Sequence, residues 1–109
     1  LRQVEAVVDR LNPDCDLIDP RTLYPLDVDT ICNSVSKTGA LLVVEPDTTF
    51  AGTGAELTAS VVEREFSSLK KPVRRLGAPR SVIPASQDLH KYMLPTDEEI
   101  AGAIKELAI

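Results

Sequence analysis

CDLIDPRTLYPLDVDTICNSVSKTGALLVVEP, residues 15–46, is the stretch whose reading decides the fold. Two short runs rich in Leu, Ile and Val flank a segment that repeats apolar residues at helical spacing, so it reads strand, helix, strand: a βαβ unit. The first strand is placed at residues 16–19 and stops at Pro20, which has no backbone donor. Asp27 is positioned to cap a helix that begins at Val28. Val28, Ile31 and Val35 form its buried stripe, while Asp29, Asn33 and Lys37 face outward. Gly39 ends the helix in the left-handed conformation. Residues 40–44 are continuously apolar, as in a parallel strand covered on both faces.

Working outward, Val4, Val7, Val8 and Leu11 share one face of a first helix over residues 1–11, stopped by Asn12-Pro13. A helix that opens a sequence with neither cap nor preceding strand is expected to begin inside a domain. After the βαβ unit, residues 45–49 form a polar loop at the carboxyl end of a strand, where open α/β sheets bind ligands. Gly52-Thr53-Gly54 leads into a helix over 55–69, with Leu57, Val61, Phe66 and Leu69 as its buried stripe. Residues 73–76 are a short strand carrying Arg74 and Arg75, fitting a sheet edge. Residues 81–93 are poorly patterned, with a helical turn expected near 87–92. Thr96 and Glu99 have the spacing of a capping box, followed by Ile100, Ala103, Ile104 and Leu107 as the stripe of a terminal helix.

With 109 residues the chain is long enough for one domain and too short for two. Its net charge of −5 leaves no basic footprint for nucleic acid. Cys15 and Cys32 have no metal-ligand spacing and are expected to be buried, reduced thiols in a cytosolic or mitochondrial-matrix protein. No apolar run approaches the ~18 residues of a membrane-spanning helix.

Candidate chemistry is sparse. Asp19, Glu45 and Asp47 are placed to gather at the carboxyl ends of neighbouring strands, where such a set holds Mg²⁺; turn formation and helix capping are the favoured reading. Gly52-Thr53-Gly54 before a helix offers amides to a phosphate but lacks a third glycine or a lysine, so close backbone packing is favoured. His90, the single histidine, has no framed nucleophile to serve. The pairs Lys70-Lys71 and Arg74-Arg75 suit an acidic partner or a solvated rim. From the residues alone, the chain reads as a non-catalytic α/β module.

The order IDPRTLYPLD, TGALLVVEP, GTGAEL, KKPVRRLGAP, LPTDEEI resembles the carboxyl-terminal domain of the transketolase superfamily. Within it, the pattern is similar to the beta subunit of the thiamine-diphosphate-dependent decarboxylase component of 2-oxo acid dehydrogenase complexes. The resemblance covers nearly the whole chain and implies a three-layer α/β/α sandwich over residues 1–109 with a mostly parallel sheet. It implies that thiamine diphosphate and the catalytic groups belong to other domains, so no catalytic, cofactor or metal residue is expected here. The implied partners are an alpha subunit, a second beta subunit and the subunit-binding domain of an acyltransferase core. Docking to that basic domain is expected through the carboxylate of Ile109 and through Glu106, with Lys70 standing where relatives often carry an acidic residue. Relatives also carry P-x-P-Y-A where residues 82–86 read VIPAS, and a central strand before the first helix that is missing here. The second reading, of another class, is a stand-alone module binding a small ligand or metal at Asp19, Glu45 and Asp47.

Overall fold

The computed structural model describes residues 1–79 and 94–108. Among these, the order is α1 (Arg2–Leu11), α2 (Val28–Thr38), β1 (Leu42–Thr48), α3 (Thr53–Glu65) with a 3₁₀ turn (Phe66–Ser68), β2 (Arg74–Ala78) and α4 (Asp97–Leu107). The expected helical turn near 87–92 lies outside the described residues.

Strands β1 and β2 pair in parallel, with α3 as the crossover, and their alternating side chains divide the interior in two. Val43 packs with Ile31, Cys32, Val35, Leu57 and Val61, so α2 and α3 cover one face. Val44 and Leu76 pack with Val7 and Ile100, so α1 and α4 cover the other. These are the three layers expected of a parallel sheet covered on both sides.

Local chemistry sets the helix ends. The Asp27 carboxylate accepts from the Thr30 amide at 3.1 Å and the Thr30 hydroxyl at 2.6 Å, capping α2. Gly39 closes α2 at φ 78°, and a Cβ there would also come within 2.9 Å of the Lys70 side chain. Thr96 and Glu99 form the reciprocal capping box of α4.

Asp27 makes a testable contribution. The Thr30 side-chain and then backbone hydrogen bonds hold its carboxyl below the usual range. A depressed folded-state pKa means stabilisation that is present above the unfolded carboxylate value of about 4 and is lost as pH falls through the folded value. Asp27→Ala is therefore expected to lower the midpoint of denaturant unfolding at neutral pH, and the difference from wild type should shrink as the pH drops below ~4.

Four expectations need correcting. Residues 16–19 join no ladder: Ile18 packs against the α2 and α3 core, and Asp16 is tied to α2 by Ser34 Oγ at 2.7 Å and Lys37 Nζ at 3.0 Å. Helix contacts hold this segment, so the parallel unit present is β1–α3–β2. Strand β1 runs beyond Val44 to Thr48 through a register irregularity that absorbs Pro46, whose missing N–H a regular ladder would not tolerate. Phe66 is 72% exposed: it stands five residues after Val61, about 140° around the helix from the buried stripe. Cys15, in the irregular segment before α2, is exposed, whereas Cys32 is buried in α2; both are free thiols.

Candidate functional site

The carboxyl end of the sheet is built around Glu45. Pointing back over the start of α3, its carboxylate accepts from the Gly54 amide through Oε2 at 2.8 Å. Its Oε1 is buried without a hydrogen-bond partner among the described residues. Three glycines make this possible: an added Cβ would lie 2.9 Å from Oε1 at Gly52, 2.8 Å from it at Gly54, and 2.6 Å from the Asp47 carbonyl at Gly77. Glu45 thus supplies, from within the chain, the anion that an exposed helix N-terminus draws from a ligand. The Gly54 amide is taken by this carboxylate, which would repel a phosphate or diphosphate at the start of α3.

The other two carboxylates do not join it. Asp19 turns to Arg21, accepting from its amide at 3.1 Å and pairing with Nε at 3.1 Å. Asp47 is exposed. Among the described residues no group of three or more His, Cys, Asp or Glu side chains is arranged to hold a metal ion. Cys15 is no poised nucleophile: partial desolvation and then the neighbouring Asp16 and Asp14 push its thiol up. His90 and Ile109 lie outside the described residues.

A second constellation gathers where β2 begins and α4 ends. Lys70 donates its amide to the Gly39 carbonyl at 2.8 Å and lays its methylenes over that glycine, leaving its head exposed. Lys71 Nζ reaches the carbonyls of Glu106 and Ala108, both at 2.8 Å, and so closes the last turn of α4. The Glu106 carboxylate, expected to be available for docking, is ion-paired with Arg74. The expected docking residues Lys70 and Glu106 are both placed at the surface, and Lys71 and Arg74, read from the sequence as members of basic pairs suited to an acidic partner or a solvated rim, lie at the end of α4 with Glu106. Their signal was a basic doublet just after one helix, within reach of a negative helix end.

Layers, parallel sheet and glycine-packed strand end define an α/β/α domain in which, among the described residues, Glu45 and Asp19 are held by partners within the chain. The family model described as the transketolase C-terminal domain matches residues 1–100, and the chain belongs to that family. Over 96 residues it is 40% identical to the pyruvate dehydrogenase E1 component subunit beta of Rickettsia bellii (strain RML369-C), covering 88% of this chain and 30% of that protein. It is 39% identical over 92 residues to the subunit of the same name from Bacillus subtilis (strain 168), covering 84% and 28%. It is also 32% identical over 94 residues to the acetoin:2,6-dichlorophenolindophenol oxidoreductase subunit beta of that organism, covering 86% and 28%. The chain thus spans less than a third of the length of the curated relatives it matches.

Proposed function

We propose that this chain is the C-terminal, non-catalytic assembly and docking domain of the beta subunit of a 2-oxo acid dehydrogenase of pyruvate, branched-chain 2-oxo acid or acetoin type. The observation that carries the reading is the 40% identity to a pyruvate dehydrogenase beta subunit across 88% of the chain. In the parent enzyme, thiamine diphosphate supplies the carbanion chemistry of decarboxylation and the acyl group passes to a lipoyl group. Among the described residues, the amide end of α3 does not suit that cofactor's diphosphate, because the Glu45 carboxylate takes the Gly54 amide. In this reading the cofactor is held by other domains of the assembly.

The partners are an alpha subunit, a second beta subunit and the acyltransferase core, with Lys70, Glu106 and Ile109 on the docking face. In this reading a strand from elsewhere in the parent chain completes the sheet between β1 and residues 16–19. The alternative, a small-ligand or metal module at Asp19, Glu45 and Asp47, has the weaker support because Glu45 and Asp19 serve separate partners within the chain and the three are not gathered to hold a metal ion.

The test is reconstitution of the full-length subunit with its alpha subunit, thiamine diphosphate and Mg²⁺. Decarboxylation of pyruvate, a branched-chain 2-oxo acid or acetoin cleavage, with acylation of a lipoyl domain, is the expected result. No turnover of any of the three would overturn the reading.

A further inference from the structure

Helices α1 and α2 end by turning their own backbone left-handed, at Asn12 (φ 47°) and Gly39 (φ 78°), where the amide of that residue meets a carbonyl of the last turn. Helix α4 ends differently. Its C-cap, Ala108, stays extended at φ −61° and ψ 130° and leads the chain away from the helix. Carbonyls at this end are met from another part of the fold: Nζ of the half-buried Lys71 donates to the Glu106 and Ala108 carbonyls, both at 2.8 Å. Arg74, three residues further on, pairs with the Glu106 carboxylate. The start of β2 thus fixes both the main chain and a side chain of the helix end, at a separation of 35 residues for Lys71 and Glu106.

We propose that Lys71 is a positioning residue for docking: by holding the Glu106 and Ala108 carbonyls it keeps the exposed end of α4 in the conformation that meets the basic subunit-binding domain of the acyltransferase core. The inference rests on the docking reading above. A helix end without a left-handed cap frays unless something holds it, and ordering it only on contact costs affinity. Lys71 orders it beforehand. Its ammonium group is directed at the negative end of α4, and toward a basic partner it is a like charge. The two roles open to this lysine therefore predict opposite signs for its removal. If it acted on the partner through its charge, losing it would tighten docking; as a positioning residue, losing it weakens docking.

The experiment measures the affinity of the full-length alpha–beta assembly for the acyltransferase core of the same organism, at a temperature well below the thermal midpoint of every variant. Lys71→Met, which keeps the apolar stem and removes the donors and the charge, is expected to weaken binding about fivefold. Lys71→Arg, which returns charged donors to the helix end, should recover most of that loss. The Lys71→Met deficit should persist as salt is raised, whereas the deficit of Glu106→Gln, which takes a charge off the docking face, should shrink. Tighter binding by Lys71→Met, or a deficit that salt removes or that Lys71→Arg fails to reduce, would overturn the inference and leave the docking face in place. Wild-type affinity in Lys71→Met beside weaker binding by Glu106→Gln would do the same. Wild-type affinity in both would mean that the core docks elsewhere, removing the docking reading and this inference with it.

Discussion

Gly52→Ala is expected to unfold the domain at markedly lower temperature and denaturant concentration than wild type. A Cβ at Gly52 would sit 2.2 Å from the Thr48 carbonyl oxygen and 2.9 Å from Glu45 Oε1. The backbone there, at φ −84° and ψ 172°, is open to any residue, so the penalty is steric. Because the first obstacle is main chain at the end of β1, relief requires moving the strand or the start of α3. We expect a loss of about 3 kcal/mol, the upper end for overpacking. Gly54→Ala meets the Glu45 carboxylate at 2.8 Å, and a side chain can give way, so its loss should be nearer 1 kcal/mol. Adding Glu45→Ala should ease the Gly54 variant and leave the Gly52 variant impaired. Gly102, in α4 with nothing within 4 Å, is the control: alanine there should be neutral or stabilising. Equal midpoints for Gly52→Ala and wild type in the full-length subunit would show that the glycine-lined seat of Glu45 is not tightly closed.

Ile100→Ala should cost about as much for a different reason. Ile100 is 0% exposed and lies with Val7 and Ala101 at the centre of the layer formed by α1 and α4, against Val44 and Leu76 of the sheet. Removing its outer carbons forfeits their transfer from water and leaves a cavity, for a loss of about 3 kcal/mol. The damage should be confined to one side of the sheet. Amide hydrogen exchange is expected to speed up in α1 and α4 more than in α2 and α3, whose cluster around Val61 and Val35 has its own contacts. Uniform acceleration through both layers would show that the two cores are energetically one.

What the sequence made legible followed local chemistry. Asp27, Gly39 and the Thr96–Glu99 pair announce helix ends because each satisfies or avoids a backbone group within a few residues of itself. The apolar run at 40–44 announces a strand covered on both faces. Less legible were features set by groups distant in sequence. Residues 16–19 have the composition of a strand, but pairing needs a neighbour, and in this structure Ser34 and Lys37 hold Asp16 to α2. Phe66 looked buried by type, yet its angular position is set by where Val61 falls. At the carboxyl end of the sheet, the residue types allowed a carboxylate set for a metal beside the favoured reading of turn formation and helix capping. Only the fold reveals that Glu45, nine residues before Gly54, bends back onto that amide. The pairing of Arg74 with Glu106, 32 residues apart, was equally hidden.

The most direct test of an assembly role separates chemistry from attachment in one preparation. In the full-length alpha–beta assembly, Asp19→Asn and Asp47→Asn remove the two exposed carboxylates of the candidate ligand edge, and Glu106→Gln removes the carboxylate expected on the docking face. Turnover of free 2-oxo acid substrate should be unchanged in all three replacements, while acyl transfer to the intact acyltransferase core should fall with Glu106→Gln alone. Loss of free-substrate turnover in the Asp19 or Asp47 variant, with the thermal midpoint intact, would contradict the account by placing bond-making chemistry in this domain.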